Sequence, residues 1–373
     1  MRFYIHIGVE KTGTSSIQDF LSINREELKK LDFFVPKSMG PRNHRKLSIA
    51  AFDASRRDDF TRSNNIHTND ELIKFQIKTI AELTAEIKNN SCGKILLTSE
   101  QIQSRLTTIP EIKQLLNILT SVGATQVSII VYLRDPAEIA NSNYSTWIRS
   151  GATDKEPPGP DHHKYKLLCD HRNTLEKFSS VFGESALIPR IYDSRSFKNG
   201  SLIEDFLETI ECPLSDNFTF PEPSNKALNP LGIEILRRFN EKIPVFIDDR
   251  PNNLRGNINK FINSHFSNNR NDRYFMPDSL FYAYEQAFLK SNEWVRIQWF
   301  PEMTCLFEKK DRKKTTPIAF TEKDLDNISG MLIDIWSEKQ RQYITQENNT
   351  QLNYRILNLI KRLIRKLQKL FKK

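Results

Sequence analysis

The chain has 373 residues, 38% of them hydrophobic and 10% aromatic, which is typical of a globular protein and excludes a disordered one. The formal net charge is +9, but residues 354–373 carry eight basic and no acidic side chains, so the remaining body is close to neutral. A basic surface over the whole body is excluded, and we expect no nucleic acid partner.

Cysteine spacing and hydropathy suggest where the protein works. No C-x-x-C pair occurs, which predicts neither a metal cage nor a disulfide scaffold and favours a reducing compartment. We detect no signal peptide, and no run approaches the roughly 18 apolar residues that cross a bilayer. We therefore expect a cytoplasmic protein, soluble or peripheral on the inner face of the membrane. The four cysteines are Cys92, Cys169, Cys212 and Cys305.

Strand and helix signals alternate along the first 210 residues. This alternation predicts an α/β fold with a mostly parallel central sheet flanked by helices. The predicted strands are Phe3–Ile7, Phe33–Val35, Lys94–Thr98, Val127–Leu133 and Ala186–Ile191. The predicted helices are Thr14–Lys30, Asp70–Asn89, Pro110–Val122, Pro136–Arg149, His163–Val181 and Ser201–Ile210.

The second half of the chain has a different character. We predict a helical, lid-like excursion over 227–308, with helices at Leu228–Phe239 and Asp278–Phe300 and a mostly irregular segment, 248–277, between them. A further helix is predicted over Leu325–Tyr343. The expected organisation is one domain over 1–345, followed by a linker and a basic amphipathic helix over 346–373.

The end of the chain has an amphipathic pattern. Five apolar residues share one helical face, and basic residues occupy most of the rest. Such a helix is typical of binding to an anionic membrane surface. Docking on this protein or on a second copy is the alternative, and the oligomeric state stays open. The apolar residues are Ile356, Ile360, Leu363, Leu367 and Leu370.

The first twenty residues predict an anion site. The strand Phe3–Ile7 ends at Gly8, a short loop holds Lys11 and Gly13, and a helix pattern follows. Unpaired N–H groups and the positive end of a helix then point at one spot, and the lysine adds a full charge. We expect this loop to bind a phosphate-like group.

The order of residues excludes two common phosphate loops. In G-x-x-x-x-G-K-[ST] the lysine follows the second glycine, whereas Lys11 precedes Gly13. The dinucleotide pattern G-x-G-x-x-G is absent as well. The segment K-T-G-T-S-S instead resembles the 5'-phosphosulfate loop of sulfotransferases, which binds 3'-phosphoadenosine-5'-phosphosulfate, abbreviated PAPS.

A second motif follows an apolar strand some 120 residues later. Val127–Leu133 ends at Arg134-Asp135-Pro136, and a helix-compatible stretch carries Ser142. An arginine at the carboxyl edge of a parallel sheet is well placed and well shaped to pair with phosphate oxygens. The segment YLRDPAEIANSNYSTW is similar to the 3'-phosphate motif of sulfotransferases, in which arginine and serine hold that phosphate.

The resemblance implies a fold, a donor and a reaction. It implies a P-loop NTPase-like sulfotransferase fold and transfer of a sulfuryl group from PAPS to a hydroxyl of a carbohydrate or glycoconjugate, such as a surface polysaccharide precursor. Lys11 would stabilise the leaving phosphate, so no metal is required. The residues assigned to the nucleotide are Lys11, Thr12, Gly13, Thr14, Ser15, Ser16, Arg134 and Ser142.

Two residues are candidates for the general base. Glu100 follows the strand Lys94–Thr98 and should lie at the carboxyl edge, although a first-turn acid of the next helix is the competing interpretation. His44, in a predicted loop, is the second candidate, because histidine titrates near neutral pH. His162, His163 and His171 lack a metal-ligand pattern, and we interpret them as solvent-facing.

Two other classes of function stay open at this stage. A P-loop kinase would use ATP with magnesium, and the position of Lys11 and the Arg134–Ser142 pattern argue against it. A non-catalytic, membrane-associated nucleotide-binding protein would keep the site without the chemistry.

Overall fold

The computed structural model describes residues 1–222, 227–247, 250–267, 273–308 and 321–342. The strands are β1 Arg2–His6, β2 Phe33–Phe34, β3 Lys94–Thr98, β4 Gln126–Leu133, β5 Leu187–Ile191, β6 Phe246–Ile247 and β7 Arg250–Pro251. The helices are α1 Thr14–Ile23, α2 Arg25–Lys30, α3 Arg45–Ala50, α4 Asp59–Ser63, α5 Asn69–Lys88, α6 Glu100–Arg105, α7 Ile109–Ser121, α8 Pro136–Arg149, α9 His163–Cys169, α10 His171–Phe182, α11 Leu202–Thr209, α12 Pro230–Lys242, α13 Ile258–Phe266, α14 Asp278–Trp299 and α15 322–342.

The five strands β1 to β5 form one parallel sheet in the order β2-β3-β1-β4-β5. This confirms the predicted α/β fold with a parallel central sheet flanked by helices. The predicted strands are confirmed as well, with ends that differ by at most one residue. β1 lies in the middle, with β3 on one side and β4 on the other.

Burial on both faces explains why these strands pair in parallel. All but the first residue of β1 and all but the first two of β4 are buried. On one face, Tyr4 and Tyr132 pack in a cluster with Phe20 of α1 and Phe206 of α11. Each such side chain contributes roughly 2 kcal/mol of hydrophobic free energy when it leaves water.

The strand order directs attention to one end of the sheet. After β1 the chain forms β2 at the edge of the sheet and then β3 beside β1, and it later crosses to β4 on the opposite side of β1, so the strand order reverses at β1. Ligands of open α/β sheets bind outside the carboxyl ends of the strands at such a reversal. The two segments that resemble phosphate motifs follow β1 and β4 and therefore share this edge.

Two predicted helices are each divided in the structure. Thr14–Lys30 forms α1 and α2, with a break at Asn24, whose amide donates to the carbonyl oxygens of Phe20 and Thr219. His163–Val181 forms α9 and α10, because Asp170 caps α10 through the N–H of Asn173. In both places a side chain bonds to the backbone and replaces the continuous ladder.

Other differences concern short or irregular segments. The sequence analysis missed α3, α4 and α6, which have five or six residues each. The segment 248–277 was predicted as mostly irregular, yet it contains α13, which buries Phe261, Ile262 and Phe266. Between Leu325 and Arg341 the predicted helix is confirmed, as part of α15. The predicted linker and amphipathic helix over 346–373 lie outside the described residues.

The chain divides into two compact units. The first contains the described residues of Met1–Trp147, Asp154–Lys226 and Phe275–Thr315, and includes the five-stranded sheet. The second contains those of Ile148–Thr153, Ala227–Tyr274 and Thr316–Lys373. Within the second unit, α12 and α13 pack together, and Gly232 lets the helices approach closely at Phe266. The predicted single domain over 1–345 stays a prediction.

The search for a transmembrane helix covered the described ranges only. In those ranges, no helix combines the length and the apolar character needed to cross a bilayer.

Candidate functional site

The loop after β1 adopts a conformation that its glycines permit. Gly8, Lys11 and Gly13 have φ angles of +56°, +71° and +72°. The backbone angle favours glycine at position 13, and a Cβ atom there would lie 2.3 Å from Cδ2 of Leu202, so a larger residue requires Leu202 to move. Lys11 reaches the same left-handed region with a side chain, which is uncommon and indicates a conformation fixed by its surroundings.

Thr12 holds the loop together from inside. Its hydroxyl donates to the carbonyl oxygen of Val9 at 2.7 Å and lies 3.4 Å from the N–H of Val9. The side chain is fully buried. Thr12 therefore closes the turn with its hydroxyl, and only its backbone N–H is left for a ligand.

Helix α1 begins without the usual compensation of its N-terminus. Its N-cap residue is Gly13, and among the described residues no side chain caps the helix and no acid lies in its first turn. The first N–H groups of a helix have no acceptor inside the helix, so this end attracts an anion. The sequence analysis assigned Ser16 to the nucleotide, whereas its backbone N–H donates to the carbonyl oxygen of Gly13 at 2.9 Å.

The hydroxyls of the first turn differ in exposure. Thr14 is buried, with its hydroxyl 3.5 Å from the carbonyl oxygen of Val9. Ser15 is half-buried and stays the more accessible of the two. The Lys11 ammonium extends to α8, where it donates to the hydroxyl of Thr146 at 3.1 Å.

Arg134 brings the two predicted motifs into direct contact. Its Nη1 donates to the carbonyl oxygen of Lys11 at 2.6 Å, although the two residues are 123 positions apart. Its Nη2 donates to Oε2 of Glu138 at 3.0 Å. The acidic partner of Arg134 is therefore Glu138, four positions along the chain.

Tyr192 is a site residue that the sequence analysis missed. The Arg134 guanidinium carbon lies 5.3 Å from the centre of the Tyr192 ring. A Cβ atom at Gly13 would lie 3.0 Å from Cε2 of the same ring. Tyr192 directly follows β5, so an aromatic residue at the carboxyl end of a strand was the available signal.

Asp135 closes the N-terminus of α8. Its Oδ1 accepts hydrogen bonds from the N–H groups of Ala137 at 2.8 Å and Glu138 at 3.1 Å. Burial is the largest influence on this carboxyl and raises its pKa, and the nearby charges of Glu138 and Glu285 act in the same direction. Asp135 thus supports the turn.

His171 supports Arg134 from behind, where the sequence analysis expected a solvent-facing side chain. It is fully buried, and its Nε2 lies 2.7 Å from the carbonyl oxygen of Arg134. Burial lowers the pKa of His171 to about 4, so the ring is neutral near pH 7 and donates from Nε2. This contact fixes the end of β4.

Ser142 occupies a less decisive position. It lies about two turns along α8 from Arg134 and is half-buried. Among the described residues, no hydrogen bond joins Ser142 to Arg134. Its assignment to a phosphate stays a prediction.

Glu100 lies beside the loop, at the start of α6. A Cβ atom at Gly8 would lie 3.2 Å from its Cα atom. Three side-chain amides donate to its carboxylate, from Gln18 at 2.7 Å, Asn43 at 3.0 Å and Gln101 at 2.7 Å. The carboxylate is therefore held in one orientation at the carboxyl edge of the sheet.

His44 does not fit the role of general base. It is fully buried, and its Nδ1 accepts the N–H of Thr98 at 3.0 Å. Burial lowers its pKa to about 4, with the charge of Arg25 acting in the same direction. Since its accepting nitrogen is occupied inside the protein, His44 is not placed to take a proton from a bound hydroxyl.

A polar and aromatic cluster lies next to Lys11. The Lys164 ammonium lies 3.4 Å from Oε2 of Glu10 and 5.6 Å from the centre of the Trp147 ring. The indole N–H of Trp147 donates to Asp154 at 2.8 Å. His162 contacts Trp147 edge to face, and burial lowers its pKa. Across the described ranges, no three His, Cys, Asp or Glu side chains are grouped to hold a metal ion.

A cavity of about 1070 Å³ opens beside Arg134. Arg134, Glu138 and Tyr192 line one part of it, and a second part is aromatic and apolar. Its mixed lining suits a ligand that has both a flat ring and charged groups. The apolar residues of the lining are Phe275, Met276, Phe281, Leu289, Met303, Leu306 and Phe307.

Comparisons with known proteins give little support for any family. No protein-family model matches the chain. A similar protein from Archaeoglobus fulgidus, described as uncharacterized, is 26% identical over 160 residues, which are 42% of this chain and 41% of that protein. The match therefore spans less than half of the relative.

One solved structure is similar over a larger part. A sulfotransferase from Alicyclobacillus acidocaldarius matches 64% of this chain and 92% of its own, with 14% identity and a TM-score of 0.34. At this identity and TM-score the likeness carries no argument about fold or activity. The case for function rests on the residues of the site.

Proposed function

We propose that this protein is a sulfotransferase that moves the sulfuryl group of PAPS to a hydroxyl of a carbohydrate or glycoconjugate. The acceptor oxygen attacks sulfur in line, and the bond between sulfur and the bridging oxygen breaks. The electron pair of that bond stays on the 5'-phosphate oxygen, and the hydroxyl proton passes to a base.

A single observation carries the proposal. The uncapped turn from Gly8 to Gly13 presents Lys11, and Arg134 of the second motif donates to the carbonyl oxygen of Lys11 at 2.6 Å. Two segments that resemble the two phosphate motifs of one nucleotide are thus in contact, as binding of such a nucleotide requires.

The roles of the loop residues follow from their surroundings. The N–H groups of Thr12 to Ser15 would bind the 5'-phosphosulfate, helped by the start of α1. Lys11 would neutralise the charge that builds up on the leaving phosphate, so positive charge is supplied without a metal. Its contact with Thr146 gives the ammonium a fixed starting position.

Arg134 and Ser142 are assigned to the 3'-phosphate, and the adjoining cavity to the nucleoside. The guanidinium lies against the Tyr192 ring at the cavity wall, where an aromatic face can pack against a base. Tyr192 thus adds to the two motifs a residue that lies beside both Gly13 and Arg134.

Glu100 is our candidate for the general base. It lies at the carboxyl edge beside Gly8, and three amides orient its carboxylate. A base must be within hydrogen-bond reach of the proton it takes, and rigid support favours that geometry. His44 is not carried into the proposal.

The acceptor and the cellular location extend the proposal further. The half-buried Trp147, one position after Thr146, offers a ring near Lys11 on which a sugar can pack. A glycan or glycolipid acceptor would suit an enzyme that works in the cytoplasm and visits an anionic inner-membrane surface through 354–373.

Nucleotide binding is the first test. Calorimetry should detect metal-independent binding of adenosine 3',5'-bisphosphate that is tighter than binding of ATP with magnesium. A preference for ATP with magnesium would instead indicate a kinase and overturn the proposal. Transfer of labelled sulfate from PAPS across a glycan panel then tests the chemistry, and binding without any transfer would favour a non-catalytic protein.

A further inference from the structure

The position of Glu138 bears on how the second phosphate is selected. We infer that Glu138 is an internal counter-ion of Arg134. A ligand phosphate must displace the Glu138 carboxylate from the guanidinium or share the guanidinium with it. Glu138 thereby limits the affinity of Arg134 for a phosphate. This inference rests on the proposed function, because it assigns Arg134 to a phosphate.

The geometry gives Arg134 two internal acceptors at once. Nη1 donates to the carbonyl oxygen of Lys11, and Nη2 donates to the Glu138 carboxylate at 3.0 Å. The two side chains of the ion pair are 19% and 31% exposed, so water screens the pair only in part. Both residues line the same cavity, so a ligand bound there lies near both charges.

Other acids keep this part of the cavity from being strongly positive. Asp135 and Glu285 line it as well, and Arg195, the other arginine of the lining, is paired with Asp193 and Glu308. A phosphate that bonds to Arg134 therefore approaches the charge of Glu138 at short range. Like charges a few ångströms apart repel substantially in a half-buried site.

The alternative role for Glu138 is to orient the guanidinium. Glu138 of α8 can hold the arginine that follows β4 in a useful direction, and its loss would then weaken phosphate binding. The two roles predict opposite signs for the same substitution, so one measurement separates them.

The experiment is calorimetric titration of wild type and Glu138→Gln with two ligands. Adenosine 3',5'-bisphosphate tests the second phosphate, and adenosine 5'-monophosphate lacks it. We expect Glu138→Gln to bind the bisphosphate about tenfold more tightly, because one repulsive charge is removed. Affinity for the monophosphate should be unchanged.

A matched control comes from another (i, i+4) pair. Arg172 and Glu176 of α10 form an ion pair 2.8 Å long with both side chains about half exposed. The substitution Glu176→Gln removes one negative charge without touching the cavity. It should leave both affinities unchanged, which separates a local effect from a change in net charge.

The outcomes distinguish this inference from the proposed function. Bisphosphate binding that is equal or weaker in Glu138→Gln overturns the counter-ion role and leaves the function standing. Absence of bisphosphate binding in both proteins overturns both. Equal tightening for the two ligands also overturns the inference, because the effect would then not depend on the second phosphate.

Discussion

Two turns meet at the carboxyl edge of the sheet, and they treat charge in opposite ways. The turn after β1, from Gly8 to Gly13, ends in a helix that no described side chain caps. The turn after β4 is closed, because Asp135 caps α8 and Glu138 pairs with Arg134. The first turn thus offers helix N–H groups that no side chain caps. In the second turn, a ligand must compete with the Glu138 carboxylate for Arg134.

This difference explains why the segment after β1 is a stronger sequence signal for ligand binding than the segment after β4. About half of the described α-helices begin with a side-chain cap, for example the capping boxes at Thr68 of α5 and Thr108 of α7. Helices α3, α9 and α13 resemble α1 in having neither a cap nor a first-turn acid. A helix start that lacks both a cap and an acid leaves N–H groups for something else. What distinguishes the turn before α1, called the open turn, is that Lys11 and two glycines with positive φ lie directly beside such a helix start.

The largest effect should come from removing the cation of the open turn. We expect Lys11→Ala to lower the rate of sulfuryl transfer by about 10² to 10³, because one preorganised donor at the leaving oxygen is lost. Labelled PAPS and a glycan acceptor would measure it.

The control for this substitution is Lys113→Ala, which removes an exposed lysine of α7. It should leave the rate unchanged. Transfer that persists at the wild-type rate in Lys11→Ala would separate the open turn from the chemistry and break the comparison.

Two buried histidines support the carboxyl edge of the sheet, His44 at the end of β3 and His171 after β4. Low pH should reduce the contribution of each to the free energy of unfolding. Burial lowers the pKa of His44 and of His171 to about 4, below the ordinary value of 6.5. Above pH 6.5 each histidine is neutral in the folded and in the unfolded protein. Between pH 6.5 and pH 4 the histidine takes up a proton in the unfolded chain but not in the folded protein. Stability is therefore full above pH 6.5 and falls towards pH 4, by about 3 kcal/mol for each histidine.

Urea unfolding between pH 7.5 and pH 4 measures this loss. The substitutions His44→Gln and His171→Gln should each reduce the slope of stability against pH by up to one proton. His67→Gln, at an exposed position, serves as the control and should leave the slope as it is. An unchanged slope in both buried variants would contradict the assignment.

The open turn should be sensitive to a single methyl group. In Gly13→Ala the new Cβ meets Leu202 at 2.3 Å, and the backbone keeps a φ of +72°. We expect a loss of roughly 1–3 kcal/mol in unfolding free energy, together with weaker bisphosphate binding. Thermal melts and calorimetry measure the two. Gly159→Ala is the matched control, since nothing lies within 4 Å of its Cβ position.

The smallest effect concerns the cap of the closed turn. Asp135→Ala removes the acceptor for two N–H groups and should cost about 1 kcal/mol, as a lost helix cap usually does. Thr108→Ala at α7 provides the comparison and should cost a similar amount. A loss of several kcal/mol in Asp135→Ala alone would mean that Asp135 does more than cap α8.

The sheet and its functional edge were accessible from the sequence for a clear reason. The apolar runs that became β1, β3 and β4 are buried on both faces, so local pattern and tertiary environment agree. Each phosphate-like segment follows one of these runs directly. The parallel arrangement then brings Lys11 and Arg134 to one edge, although it does not specify their hydrogen bond.

The parts that escaped prediction depend on contacts between distant residues. Nothing in the neighbourhood of His44 or His171 indicates burial, because their partners, Thr98 and Arg134, are 54 and 37 positions away. Tyr192 follows a predicted strand, but its place beside Arg134 depends on the pairing of β5 with β4. The break at Asn24 depends on the carbonyl oxygen of Thr219.

The hydrogen bond between Arg134 and the carbonyl oxygen of Lys11 has a consequence for selectivity by length. It joins two cationic residues from the turns that follow β1 and β4, so their spacing is set by the protein and not by the ligand. The fixed spacing selects ligands by the distance between their anionic groups. If the two groups are too close together or too far apart, only one of them can bind its cationic residue. Under the proposed function, the distance between the two phosphates of the nucleotide becomes a criterion for its recognition.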